Sequence, residues 1–367
     1  MGSVTAAGLA GLPGATPTCH LSAGRLIRWA RTLVARSARG TPARAAIRLL
    51  ESLAGSRPGC FAALTYHRVD ERHARPWLHP SLLSATPADF ANQMEMLLRQ
   101  YQPVGLPDVL AASRDETVLP PRSVLVTFDD AYQDFRENAW PVLRRLGIPV
   151  TLFVPTAFPD RPERSFWWDR LWQAVVDARG RAALETPLGP LRVTRERQRY
   201  RAASSLVEFH KTLPHDEAMH SVDALCERLS AQPARSEVLG WDDLRALAAE
   251  GVFVAPHSRN HPLLTRVSAA VLRAEMEGSL IDIETHVPQR VKGAAFAYPG
   301  GRFDQQTTEM LRELRFDLAF TTERGTNRLG HTDPLCLRRI NVGRRAHSDL
   351  IRGQLAVGTL RHRTIGR

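Results

Sequence analysis

Short runs of consecutive apolar residues punctuate this chain, and the stretches between them place apolar residues at helical spacing. The runs predict strands at Ala62–Tyr66, Val124–Phe128, Val150–Val154, Val252–Ala255, Gly293–Tyr298, Leu318–Thr321 and Leu337–Val342. Apolarity at successive rather than alternate positions marks strands covered on both faces. The intervening pattern predicts helices at Ala88–Gln100, Phe135–Leu146, Trp241–Ala249, Ser268–His286 and Gln305–Leu314. The first of these has a start signal: Thr86 as cap, Pro87 in the first turn and Asp89 early. Strand–helix alternation of this kind predicts βα units around a parallel sheet, open or closed into a barrel. The stretch Pro159–Glu237 breaks the rhythm. It is charged and helix-prone, and carries Phe166-Trp167-Trp168-Asp169-Arg170-Leu171-Trp172. It reads as an insertion that packs back through its tryptophans; a sugar-stacking platform is the alternative.

Length and charge refine this picture. At 367 residues and 43% hydrophobic content the chain suffices for one large α/β domain with additions. No apolar run approaches spanning length, and residues 1–18 show neither a basic start nor a long apolar block, so no signal peptide is expected. The net charge of +11 is uneven. Residues 1–57 hold eight Arg against one acid, Glu51, and residues 338–367 hold eight Arg against Asp349 alone, leaving a slightly acidic body. Two readings of the ends stand: solvated, partly disordered tails, or adhesion to an anionic surface. Leu26, Trp29 and Leu33 interleaved with Arg25, Arg28 and Arg31 would form a basic amphipathic stripe on a helix, as a membrane interface requires. Nucleic acid is not expected as a partner, since the body is net acidic and no zinc-finger spacing or aromatic–basic motif is present. Cys19, Cys60, Cys226 and Cys336 are far apart, which suggests neither a disulfide framework nor a thiolate metal site and is compatible with a reducing compartment.

The chemistry sits at the ends of the predicted strands. Asp129-Asp130 follows Val124–Phe128, and His257-Ser258-Arg259-Asn260-His261 follows Val252–Ala255. One Asp and two His suit a divalent metal with positions left open for water and substrate. The second Asp is then placed to take a proton. Tyr66-His67 and Tyr298 also fall at strand C-terminal ends, the edge on which α/β folds build sites.

At this point the chain resembles the polysaccharide deacetylase family, carbohydrate esterase family 4 with its NodB-homology domain, over roughly residues 61–345. Thr127-Phe128-Asp129-Asp130-Ala131-Tyr132 resembles its T-F-D-D-G-Y motif, with Ala131 in place of Gly, and His257–His261 is similar to its H-[ST]-x-x-H motif. Phe296-Ala297-Tyr298-Pro299-Gly300-Gly301 resembles its third motif without the usual upstream Arg, and Leu64-Thr65-Tyr66-His67-Arg68-Val69 resembles the N-terminal motif of a branch that includes biofilm poly-N-acetylglucosamine deacetylases. The resemblance implies Asp129 as general base, and Asp130, His257 and His261 as metal ligands. It further implies the backbone N–H of Tyr298 as an oxyanion donor and His67 as general acid. Arg339 is either the substitute for the missing Arg that orients the base or a surface ion pair. Ala131 for Gly implies a turn that needs no positive φ, or one that tolerates strain.

The expectation is an α/β fold, a distorted (β/α) barrel of the polysaccharide deacetylase type. It divides into a basic, partly helical or disordered segment 1–57, a barrel domain 58–345 with an insertion at about 159–237, and a basic tail 346–367. The expected function is metal-dependent hydrolysis of the N-acetyl group of an amino sugar in a bacterial surface glycan or its precursor. Zn is the expected metal, with Fe, Co, Ni or Mn suiting the same donors. The expected setting is cytoplasmic, peripheral to the inner face of the membrane through residues 1–57. The alternatives are a deformylase or deacylase of a lipid-linked sugar, and an inactive glycan-binding protein on the same fold.

Overall fold

In the computed structural model the apolar runs assemble into a sheet that contains nine strands among the described residues. Those residues are 41–54, 59–178, 180–232, 235, 237–289 and 294–364. Along its main path the order is Ala295–Ala297, Leu318–Arg324, Leu337–Asn341, Cys60–Tyr66, Ser123–Asp129, Val150–Val154 and Phe253–Pro256, with every pair parallel. Gln102–Val104 adds to Ser123–Asp129 in parallel, and Asn327–Arg328 pairs antiparallel with the start of Cys60–Tyr66. The ends of this order lie side by side, Phe253–Pro256 next to Ala295–Ala297, so the sheet curls into a nearly closed barrel. Helices Pro87–Gln100, Trp140–Leu146, Trp241–Ala249, Ala269–His286 and Gln305–Glu313 surround it. Gly293, the first residue of one expected strand, lies outside the described residues.

Each strand divides its side chains between two layers, because successive residues face opposite sides. Phe61, Ala63, Leu125, Phe153, Ala255, Ala297, Phe320 and Leu337 fill the barrel interior. Leu64, Tyr66, Val126, Phe128, Leu152, Val254 and Ile340 face outward, under Phe90, Met94, Leu97 and Leu143 of the helices. The inward register, continued to the strand ends, carries Asp129, His257 and Arg339 to the C-terminal rim. The sheet thus delivers three charged or ionisable groups to one mouth.

The insertion holds helices Trp167–Asp177, Glu196–His210 and His215–Arg228 with a hairpin, Ala183–Thr186 and Gly189–Arg192. It has an apolar core of its own, with Leu171, Val175, Leu206, Val222 and Leu225. Its tryptophans fasten it to the barrel: Trp172 Nε1 donates to the Pro76 carbonyl at 2.7 Å, and Trp168 Nε1 to the Tyr132 hydroxyl at 3.1 Å.

The termini depart from the tail picture. Ser348–Thr364 is a helix whose Ile351 and Leu355 join the outer barrel layer. Its Ala356, Val357 and Leu360 pack on Leu50 and Ala54 of the helix Thr41–Ala54. Arg352 forks onto Glu51 at 2.6 and 2.9 Å, and Arg44 reaches Asp349 at 2.9 Å. Charge counting marks these segments as tails, but Arg44 and Arg352 lie in cross-helix pairs over an apolar stripe. Residues 1–40, with the Leu26–Trp29–Leu33 stripe, lie outside the described residues.

Candidate metal centre and active site

Asp130, His257 and His261 converge, with one ligand atom from each lying within 4.8 Å of the others. Asp130 Oδ1 stands 3.7 Å from His257 Nε2 and 3.4 Å from His261 Nε2, and all three residues are buried. His257 Nδ1 lies 2.7 Å from the Ala297 carbonyl across the barrel seam. A carbonyl only accepts, so Nδ1 carries the proton and Nε2 keeps its lone pair toward the cluster. Burial holds His257 down at about 4 and His261 well below the ordinary imidazole range, so both rings are neutral and able to ligate. Asp130 Oδ1 and His261 Nδ1 are buried without a hydrogen-bond partner. Burial, reinforced by Asp129 and Asp169, pushes the Asp130 carboxyl well above its usual range. An orphaned carboxylate oxygen beside two neutral imidazoles is the donor set a divalent cation satisfies, and a cation there reverses the penalty on Asp130.

The backbone is strained where it holds these groups. Asp130 (φ 72°), Ala131 (φ 53°), Ser258 (φ 61°) and His261 (φ 57°) all adopt the left-handed region, at about 1–3 kcal/mol each. Ala131 therefore occupies a turn that does require positive φ, and the absence of Gly is tolerated as strain. The turn is tied down by Leu239 N–H to the Ala131 carbonyl at 2.9 Å and Gln133 N–H to the Glu237 carbonyl at 2.7 Å. In the histidine loop Glu275 accepts from the N–H groups of Arg259 and Asn260, both at 2.8 Å, and Ser258 Oγ accepts from His261 N–H at 3.1 Å.

Asp129 has a different partner. Arg339 is 1% exposed and forks onto it, Nη1 to Oδ1 at 2.8 Å and Nη2 to Oδ2 at 2.7 Å. Arg339 Nε donates to the Thr321 carbonyl at 2.9 Å. This resolves the alternatives for Arg339 in favour of a buried clamp on Asp129. Burial raises the Asp129 carboxyl, but Arg339, joined by His257, outweighs it and holds the group at about 2. Two adjacent carboxylates are thus driven apart, one clamped by a guanidinium and one left open among imidazoles.

A pocket of about 350 Å³ opens over these groups, bordered by His67, Trp167, Tyr298, Gly301 and Asn341. His67 is partly buried, which lowers its pKa against the raising effect of Asp129. Tyr298 departs from expectation. Its N–H already donates to the Phe320 carbonyl at 3.0 Å, and its hydroxyl donates to Leu335 O at 2.9 Å. An N–H consumed in the sheet is not free to meet an oxyanion, so this geometry does not offer the expected donor. Gly301 has φ 68° and abuts Thr322, leaving no room for a Cβ. The first insertion helix contributes directly: the Trp168 ring packs edge-on to His261 at 4.8 Å, while Trp167 borders the pocket. Thr321 and Glu275, which sequence patterns did not single out, act through support contacts that carry no motif, and Ala297, inside the third motif, acts through its carbonyl.

Neutral burial of histidines has a pH consequence. His257 and His79 are both held at about 4 by burial, while the unfolded chain titrates near 6.5. Between those values protons bind the unfolded state preferentially, so stability is full above pH 6.5 and falls as pH drops toward 4. Denaturant midpoints of metal-free protein are expected to decline between pH 7.5 and 4.5. A flat midpoint over that range would rule out neutral buried imidazoles.

The fold and site define a class. The family model described as polysaccharide deacetylase matches residues 117–319, more than half of the 367 residues, and the chain belongs to that family. Among curated proteins it is similar to the poly-beta-1,6-N-acetyl-D-glucosamine N-deacetylase of Escherichia coli K12, 30% identical over 115 residues, 30% of this chain and 17% of that protein. The protein of the same name from Escherichia coli O157:H7 is 30% identical over 102 residues, 28% of this chain and 15% of that one. The matched region therefore spans about a sixth of these relatives. Among solved structures, a Streptococcus pyogenes deacetylase in complex with acetate shares the fold at TM-score 0.56 and 18% identity, covering 82% of this chain and 99% of its own. IcaB from Ammonifex degensii does so at TM-score 0.52 and 19% identity, covering 82% and 97%.

Proposed function

We propose that this protein is a metal-dependent de-N-acetylase of an N-acetylated amino sugar, in a bacterial surface glycan or its precursor. The observation that carries the reading is the buried Asp130/His257/His261 set with an unpartnered carboxylate oxygen, beside a second carboxylate clamped by Arg339. Asp130, His257 and His261 would hold the ion; zinc fits best, and Fe, Co, Ni or Mn suit the same donors. When bound, such an ion polarises the acetyl carbonyl and acidifies a water beside it.

The chain's own residues supply the rest. Asp129, held ionised by Arg339, accepts the proton of the attacking water. Arg339 keeps its plane fixed through two parallel hydrogen bonds. His67, across the pocket, delivers a proton to the departing amine. Burial lowers its pKa, which makes the imidazolium the readier proton donor, and negative charge growing on the substrate favours that protonated form. The four intact groups weigh against an inactive binding protein, which has no chemical use for all of them. Incubating metal-loaded protein with short β-1,6-linked N-acetylglucosamine oligomers and measuring acetate by mass spectrometry tests the reading. Stoichiometric acetate supports it; oligomers recovered intact across a range of divalent metals would count against it.

No helix among the described residues is long and apolar enough to cross a membrane. We read residues 1–40 as an adhesive segment for the anionic inner face. Each Arg near such a surface contributes about 1 kcal/mol, fading within a Debye length of roughly 8–10 Å. Deleting residues 1–40, which spares the packed helix Thr41–Ala54, is expected to abolish co-sedimentation with phosphatidylglycerol vesicles and leave turnover unchanged. Equal binding of both forms would discard this membrane role.

A further inference from the structure

A second concavity, about 790 Å³, opens beside the catalytic pocket. Three segments distant in sequence line it: the loop bearing Arg72, the insertion helix bearing Arg197 and Arg201, and the loop after Leu337–Asn341 bearing Arg344 and Arg345. None of these five exposed arginines has an ion-pair or hydrogen-bond partner among the described residues. The other arginines of the cleft are committed. Arg68 and Arg75 are neutralised by Asp70, Asp134, Glu137 and Glu237, and Arg199 donates to the Val193 and Thr194 carbonyls. Only Glu71 and Glu196 oppose them in the lining. Five uncompensated guanidiniums repel one another, and a concave wall focuses their field on an anion. No lysine lines the cleft, and the planar fork of arginine suits the paired oxygens of a phosphate.

The cleft lies next to the site, divided from it by one short segment. Segment 78–84 separates them: Leu78, Pro80 and Leu83 face the cleft, while His79, Ser81 and Ser84 face the pocket. The Ser81 N–H points at His79 Nδ1 from 3.3 Å and Ser81 Oγ lies 2.7 Å from the same nitrogen; with Nδ1 accepting from both, the ring proton is on Nε2. That Nε2 is buried without a partner, and the ring packs on Trp172 and Tyr200 of the cleft wall at 5.6 and 6.1 Å. A hydrogen-bond donor thus stands unfilled between the cleft and the metal cluster.

We propose that this cleft is an anion subsite for a phosphate or pyrophosphate group carried by the substrate itself, adjacent to the sugar that loses its acetyl group. The proposal rests on the deacetylase reading and narrows its substrate class. Deacetylation turns a neutral amide into an ammonium ion, and unpaired arginines repel a run of such products. The cleft therefore suits the anionic end of a phosphorylated glycan rather than the deacetylated part of a neutral homopolymer. His79 Nε2–H then donates to the sugar between the two sites.

The test compares a neutral N-acetylglucosamine oligomer with the same oligomer bearing a 1-phosphate, using the full chain and acetate release. The phosphorylated oligomer is expected to show a KM at least about tenfold lower at low salt, an advantage that shrinks as salt is added. Arg344→Glu/Arg345→Glu, and separately Arg197→Glu/Arg201→Glu, are expected to erase that advantage without changing kcat or KM for the neutral oligomer. Equal KM values for both oligomers with the unaltered protein overturn the subsite, as does an unchanged advantage in both variants. Acetate from neither oligomer would instead overturn the deacetylase reading. The cleft is then still tested by calorimetric binding of inorganic pyrophosphate to chelator-treated protein, where absence of binding overturns it. Phosphatidylglycerol vesicles separate the two sources of phosphate. Vesicle binding unaltered by the charge reversals supports a substrate phosphate, and loss of vesicle binding with the KM advantage intact overturns it.

Discussion

His257→Ala and His261→Ala are each expected to strip the ion and reduce acetate release to background. Each variant leaves two protein ligands where a site of this kind uses three. Loss of outer support alone costs 10–100-fold in metal affinity, so removal of a ligand should exceed about a hundredfold. The fold should survive, because both rings sit at the barrel rim rather than in the packed layers. His257→Ala also frees the Ala297 carbonyl at the seam, so it should lower the melting temperature more than His261→Ala does. Metal content by inductively coupled plasma mass spectrometry, run beside turnover, checks both. Stoichiometric metal and full turnover in either variant would remove that residue from the site.

The second large effect concerns the clamp. Asp129→Asn should retain the ion and lower kcat by about 10²–10⁴, because only the proton acceptor is lost. Arg339→Met leaves a carboxylate buried without its partner, which costs on the order of 3–5 kcal/mol. The pH profile separates positioning from mere packing. Without Arg339 the Asp129 carboxyl rises from about 2, so the acid limb of the rate profile should move to higher pH. The double variant Asp129→Asn/Arg339→Met should recover stability over Arg339→Met alone, since no charge is left unpaired. A destabilised Arg339→Met with an unmoved acid limb would mean that the guanidinium is structural only.

Much of this arrangement is legible in the chain. Strands buried on both faces announce themselves as unbroken apolar runs, and the residues just past their ends mark the rim. Asp129, Asp130, His257 and His261 are legible in that way. What escapes are features set by backbone direction and by distant pairing. Nothing in Ala297-Tyr298-Pro299 tells that the Tyr298 N–H is spent on Phe320, because that depends on where the sheet ladder ends. Ala131 tolerates its positive φ only because residues 237–239, over a hundred positions away, fasten the turn. The C-terminal helix hides its apolar stripe beneath Arg352, whose partner Glu51 comes from the other end of the chain. The basic cleft is invisible for the same reason, as its arginines come from three separate regions.

Restoration of activity by metal is the most direct test of the central claim. Protein dialysed against a chelator until metal-free is assayed for acetate release from the N-acetylated oligomer, then reassayed after one equivalent of zinc. No acetate is expected from the metal-free protein, with recovery on addition in the unaltered chain but not in His261→Ala. Undiminished acetate release from demonstrably metal-free protein would contradict that claim.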